Sequence, residues 1–121
     1  MTYEVRLENH SDHLSVVVSG ALARGMAAQL AEQVIEAYRR DPLPSLLVDL
    51  RGLSIHVEPD EALQLVESYP SIATGLRVKT GIVFGEHNAE AVRFYEMVTQ
   101  NRGYPTAAFV EIEPALNWLR G

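Results

Sequence analysis

The sequence predicts an α/β domain of about five strands and four helices in the order ββαβαβαβα, on a mostly parallel mixed sheet. Three observations predict it. Residues 45–50 and 77–84 are largely apolar runs, and the first of these reads as a strand covered on both faces, the habit of parallel sheets. Amphipathic helical stripes separate the later strands, so each crossover returns the chain parallel and right-handed. The first two strands are joined by a tight turn at residues 9–13, so the first must run antiparallel to the second.

Each element has its own local signal. Residues 3–7 alternate apolar and polar, the period of a half-buried strand. Residues 14–19 form the second strand, which Gly20 ends. From about residue 24 to 40, Ala27, Leu30, Ala31, Val34, Ile35 and Tyr38 recur at helical spacing, while Gln29, Glu32, Gln33 and Glu36 face water. Asp41-Pro-Leu-Pro44 stops this helix, because proline cannot continue its hydrogen-bond ladder. Residues 45–50 are the third strand and Arg51-Gly52 turns the chain. Pro59 suits a first helical position, and Asp60 and Glu61 suit the positive end of the dipole. Ala62, Leu63, Val66 and Tyr69 line the inner face of that helix. Pro70 kinks or ends it and leaves residues 71–75 as a short extra turn. After the fourth strand Gly85 leads out, Asn88 N-caps a helix bearing Ala91, Val92, Tyr95 and Val98, and Gly103 closes it. Residues 106–111 are the fifth strand and 114–119 the last helix, with Trp118 as its packing anchor.

A chain of 121 residues fits one domain, 1–121, without repeats or linkers. Its 47% apolar and 21% charged residues are ordinary for a soluble globular protein, and no apolar run is long enough to span a bilayer. Met1-Thr-Tyr-Glu-Val5 lacks the basic and apolar regions of a signal peptide, so a cytoplasmic location is the default expectation. A net charge of −6, with Lys79 the only lysine, argues against nucleic acid as a partner. The basic pair Arg39-Arg40 falls where a helix ends and complements its dipole. Without cysteine there is no disulfide framework, thiolate nucleophile or Cys-type zinc site.

No reaction machinery is legible. Gly81 and Gly85 do not make a dinucleotide fingerprint, no phosphate loop is present, and no serine sits in a nucleophile elbow. No catalytic residue, metal ligand or cofactor is assigned. His10 and His13 have a spacing that two metal ligands could use, but read as exposed turn histidines. His56 and His87 follow successive parallel strands at their carboxyl ends, the edge where open α/β sheets place ligands. Asp49, Arg51, Glu58 and Glu86 belong to the same edge. The candidate ligand-binding set is therefore Asp49, Arg51, His56, Glu58, Glu86 and His87. The plainer reading has Asp49 orienting a turn and Glu86 solvated in a loop.

Val18-Ser-Gly20-Ala-Leu22 before an amphipathic helix, Leu47-Val-Asp-Leu50 at the third strand and the terminal segment together resemble the SpoIIAA-like fold shared by STAS domains. More narrowly, Val48-Asp-Leu-Arg-Gly52, Asn101-Arg-Gly103 and Ala115-Leu-Asn-Trp-Leu119 resemble the bacterial STAS-like proteins grouped with CRAL-TRIO relatives. The resemblance spans nearly the whole chain through the order and spacing of short pieces. It implies a small non-enzymatic module that binds a protein partner, a nucleotide or an apolar ligand. In the anti-sigma factor antagonists of this fold, an Asp-Ser pair opens the helix after the third strand and its serine is phosphorylated. The matching segment here, His56-Val-Glu-Pro-Asp60, has no hydroxyl, and Glu58 and Asp60 already carry negative charge. Ser54 reads as a turn residue rather than a phosphoacceptor, so a phosphorylation-driven partner switch is expected to be absent.

Phe94 and Met97 widen the apolar arc of their helix beyond what one sheet face needs. With Trp118 they form the candidate interface of a homodimer built on this helix or on an open sheet edge. The alternative places the helix between two neighbours within one chain. The expected function is a non-catalytic binding or regulatory module acting through a protein partner or a small apolar or nucleotide ligand. The rival is a small carrier or enzyme using the edge around His56 and His87.

Overall fold

The computed structural model describes residues 2–121, so Met1, which opens the stretch lacking signal-peptide character, lies outside the described residues. Strands β1 (Tyr3–Asn9), β2 (His13–Leu22), β3 (Ser45–Ile55), β4 (Lys79–Val83) and β5 (Thr106–Phe109) form one sheet in the order β1-β2-β3-β4-β5. β1 runs antiparallel to β2 and the other pairs are parallel. The helices are α1 (Ala27–Arg40), α2 (Pro59–Ile72), α3 (Ala89–Asn101) and α4 (Ile112–Arg120), with a 3-10 turn at Glu86–Asn88 before α3.

A right-handed crossover that always advances to the next strand leaves every crossover helix on one face. Alternation along the strands shows this. Leu46 and Ile82 point into clusters completed by α1, α2 and α3, whereas their neighbours Leu47 and Val83 pack with Ala115 and Leu119 of α4 on the other face. Glu61 ties α1 to α2. The α1 N-cap residue, Met26, offers no side-chain cap, and Glu61 Oε2 accepts instead from the amides of Gly25 (2.8 Å) and Ala27 (3.4 Å). A carboxylate from a neighbouring helix thus satisfies amides that a helix start leaves open.

The outer edge of β5 is blocked. Arg93 donates to the Ala108 carbonyl at 3.0 Å, Glu96 accepts from the Ala108 amide at 2.7 Å, and Gln100 donates to the Thr106 carbonyl at 2.8 Å. One face of α3 therefore caps the strand groups through which another chain would pair.

Several boundaries differ from the sequence-based expectation. Gly20 does not end β2, which continues to Leu22, and Arg51-Gly52 is not a turn. β3 runs to Ile55, and its register against β2 shifts by one residue between Val17↔Asp49 and Ser19↔Gly52. The bulge absorbs the glycine, so the strand bends and goes on. Pro70 does not end α2, which runs to Ile72. Proline removes a single amide donor, and so near the carboxyl end of a helix it deletes little of the ladder. Ser54 lies within β3 rather than in a turn, and His13 opens β2 as a buried residue with Nδ1 2.7 Å from Asp12.

Candidate functional site

β3 outruns β4, whose last partner pair is Asp49↔Val83, and this leaves the edge of Leu53–Ile55 without a neighbouring strand. Asn88 fills the gap. Its Oδ1 accepts from the Ile55 amide at 3.1 Å and its Nδ2 donates to the Leu53 carbonyl at 2.6 Å, so one buried carboxamide replaces the missing strand residue. Asn88 holds the expected N-cap position of α3, but its side chain makes no cap bond. The ladder groups of β3 sit in the core and claim the amide first.

His87 is held beside it. Its Nε2 lies 3.1 Å from the Leu53 carbonyl and 3.2 Å from Asn88 Nδ2, so it donates to the first when protonated there and accepts from the second when not. Gly85 makes room for the ring, because a Cβ at that position would fall 2.6 Å from His87 Cε1.

Asp49 and Arg51 form a separate unit on the α4 face of the sheet. Arg51 Nε and Nη2 meet the two Asp49 oxygens at 3.0 and 2.8 Å, and the Arg51 amide adds a third bond at 3.1 Å. Burial by itself would raise the Asp49 carboxyl, but the hydrogen bonds and charge of Arg51 outweigh it and hold Asp49 below the usual carboxylate range. At the other end of the strands, hydrogen bonds from His13 and Arg120 lower Asp12 to about 2. Both folded-state values lie below those of the unfolded chain. Their stabilisation is therefore complete above about pH 4 and is lost as pH falls through the folded values. Urea midpoints should drop between about pH 4 and pH 2, and Asp49→Asn should flatten that limb. A carboxyl-carbon NMR titration with the Asp12 midpoint near 4 would contradict the assignment.

The remaining candidates are more dispersed. His56 follows β3, exposed, with Nε2 3.1 Å from Ser54 Oγ, and Glu86 is exposed in the 3-10 turn. Glu58 precedes α2 as its N-cap residue, with no side-chain cap bond. Of the six, only Glu58 and His87 border the large cavity of the molecule. The edge thus supplies an ion pair, a histidine–asparagine clamp and three solvated groups, with no shared centre.

The cavity itself, of about 530 Å³, lies between the sheet and the three crossover helices. Its floor includes Leu46, Val48, Leu50 and Ile55, and its walls include Leu30, Val34, Leu65 and Phe94. Small residues leave the space open, since Ala27, Ala31, Ala62, Ala73 and Ala91 all face it. A cavity this size, lined mostly by apolar groups with a few polar ones, matches small-molecule sites. Its sequence signal was the run of alanines on the inner faces of three successive helices, which periodicity alone reads as core.

One cluster of its polar groups lies at the amino end of β4. The hydroxyls of Tyr69 and Tyr95 meet at 2.5 Å, and Tyr104 packs edge-on against Tyr69 with ring centres 5.6 Å apart. Arg77 lies over the Tyr104 ring at 4.3 Å. Burial, with the neighbouring phenols, pushes the Tyr69 hydroxyl up, and burial pushes Tyr95 up as well, so both stay protonated at neutral pH. None of these four was among the residues the sequence singled out as a site.

Known structures of similar fold match nearly the whole chain. An anti-sigma factor antagonist from Mycobacterium paratuberculosis is similar with a TM-score of 0.68 at 21% identity, over 99% of this chain and 96% of its own. The fold is SpoIIAA-like. An uncharacterized protein with a SpoIIAA-like fold from Shewanella loihica gives a TM-score of 0.58 at 17% identity, over 97% and 93% of the two chains. SpoIIAA itself, in its unphosphorylated form, gives 0.55 at 15% identity, over 98% and 97%. No family model and no curated protein sequence matches the chain.

Within the SpoIIAA-like fold the three interface candidates separate. Met97 is 49% exposed on α3, and Phe94 on the same helix is half-buried and faces the cavity. Trp118 belongs to α4 on the opposite face, against Phe109 and with the Lys79 ammonium 4.6 Å from its ring. They do not form one patch. No helix among the described residues is long and apolar enough to cross a membrane.

Proposed function

We propose that this protein is a non-catalytic binding module whose ligand is a small, largely apolar molecule held between the sheet and α1–α3. The observation that carries this reading is the cavity of about 530 Å³, large and apolar enough to enclose most of a small ligand. The edge residues support it by their other engagements. Asp49 is occupied by Arg51, and His87 by the Leu53 carbonyl and Asn88, while His56, Glu58 and Glu86 are exposed and share no centre with them.

The regulatory side of the proposal rests on the fold likeness to proteins described as anti-sigma factor antagonists, and on Met97 as an apolar contact exposed on α3. The start of α2 argues for control by a ligand rather than by phosphate. It carries Glu58, Pro59, Asp60 and Glu61, with no hydroxyl, and Ser54 is bonded to His56 inside β3. A protein partner or a second copy of the chain would meet the α3 side.

Native mass spectrometry of freshly purified protein tests both parts. A bound small molecule released on denaturation, one per chain, is the expected result. Protein that is free of ligand and indifferent to neutral apolar probes would refute the ligand reading. Sedimentation showing only a 13.4 kDa species at tens of micromolar would refute a homodimer.

A further inference from the structure

Seven of the nine arginines lie within ion-pair distance of a carboxylate side chain, in pairs such as Arg24–Asp60 and Arg93–Glu96. Arg39 and Arg77 do not, and both sit at one end of the molecule. Arg39 donates to the Thr74 carbonyl at 2.9 Å, in the loop that leads to Arg77. Among the described residues the Arg77 guanidinium meets only the Tyr104 ring. In a chain of net charge −6, an unpaired arginine at the rim of an apolar cavity is an available anion site.

The tyrosines beside it have capacity to spare. One of the Tyr69 and Tyr95 hydroxyls donates to the other, so the second keeps an O–H without an acceptor among the described residues. The far mouth has the opposite charge, with exposed Glu58 and Glu90 on its border. The cavity therefore has a cationic, phenolic end and an acidic end, with an apolar wall between them.

We infer that the cavity takes a single-chain anionic amphiphile, a long-chain carboxylate, with its head at Arg77 and the Tyr69–Tyr95 hydroxyls. The chain then runs over Leu46, Val48 and Leu50 toward Ile55. This rests on the apolar-ligand reading above and adds the head group and its orientation. A guanidinium fork matches a carboxylate through two parallel bonds, and stacking on Tyr104 restricts the fork before the ligand arrives. Glu58 and Glu90 repel the same head from the other mouth. The head thus lies at the amino end of β4, away from the carboxyl-end crevice where open α/β sheets usually bind.

The test uses the full chain after extraction of any bound lipid, titrated calorimetrically with oleic acid and with oleyl alcohol, its neutral counterpart. The acid should bind at one equivalent and at least about tenfold tighter than the alcohol. Arg77→Gln should weaken the acid about tenfold and leave the alcohol unchanged. If Arg77→Gln fails to fold, the acid–alcohol ratio on the unaltered protein decides alone. Equal affinities would overturn the head-group assignment and leave the apolar-ligand reading standing. Absence of binding by both would overturn the two together.

Discussion

Asn88→Ala should lower the free energy of unfolding by about 3 kcal/mol, measured by urea denaturation. The change strips the Ile55 amide of its partner and leaves the Leu53 carbonyl with His87 alone. Each net hydrogen bond contributes about 1 kcal/mol, and a buried group left without any partner costs about 1–3 kcal/mol more. Leu53 is 1% exposed, so water does not readily replace the amide there. Asn88→Asp separates the two bonds, because a carboxylate still accepts from the Ile55 amide but faces the Leu53 carbonyl with like charge. It should be destabilising near neutral pH and recover partly in acid, where the protonated carboxyl can donate. A loss under about 0.5 kcal/mol for Asn88→Ala would mean that the end of β3 stands without this clamp.

Ala31→Trp and Ala91→Trp should each strongly weaken binding of the neutral fluorophore N-phenyl-1-naphthylamine without lowering the melting temperature. Both alanines face the cavity from helices, where a larger side chain meets open space rather than packed neighbours. Filling an apolar void recovers part of its cost, roughly 24 cal/mol per Å³, so the folded state should hold or gain stability. The unaltered protein should brighten the fluorophore and saturate at one equivalent. An affinity loss of about 50-fold, near 2.3 kcal/mol, is expected for each variant. Unchanged fluorescence titrations, with both variants folded, would place the probe elsewhere and remove the cavity as the site.

Much of the fold is legible because its signals are local. The stripe of Ala27, Leu30, Val34 and Tyr38, Pro59 at a helix start and Gly103 at a helix end each specify an element through chemistry within a few residues. Gly103 illustrates this, with φ +81 just past α3, a conformation glycine adopts without steric cost. Strand lengths were less legible. The extension of β3 past Arg51-Gly52 depends on pairing with β2 through a bulge and on Asn88 arriving from 33 residues away. Neither is visible within a local window.

The candidate site divides the same way. Sequence reasoning placed His56 and His87 after successive strands and Asp49 near Arg51, and each of these positions follows from chain order. It could not foresee that Arg51 closes on Asp49, or that Asn88 and the Leu53 carbonyl engage His87, since those bonds depend on where separate elements meet. Tyr69, Arg77, Tyr95 and Tyr104 come from α2, the loop before β4, α3 and the turn before β5. They converge only because the sheet order brings those elements side by side.

By itself, then, the sequence determined the order of the elements, the parallel run of β2 through β5 with β1 reversed, and the lack of a helix-start hydroxyl in α2. Periodicity, proline and glycine placement, and residue identity suffice for these. The tertiary structure alone decided that alanines on three helices leave a cavity rather than a filled core, and that Arg77 goes unpaired beside a tyrosine cluster at its rim. Packing volume and charge pairing are properties of neighbours in space, and those neighbours lie tens of residues apart along the chain.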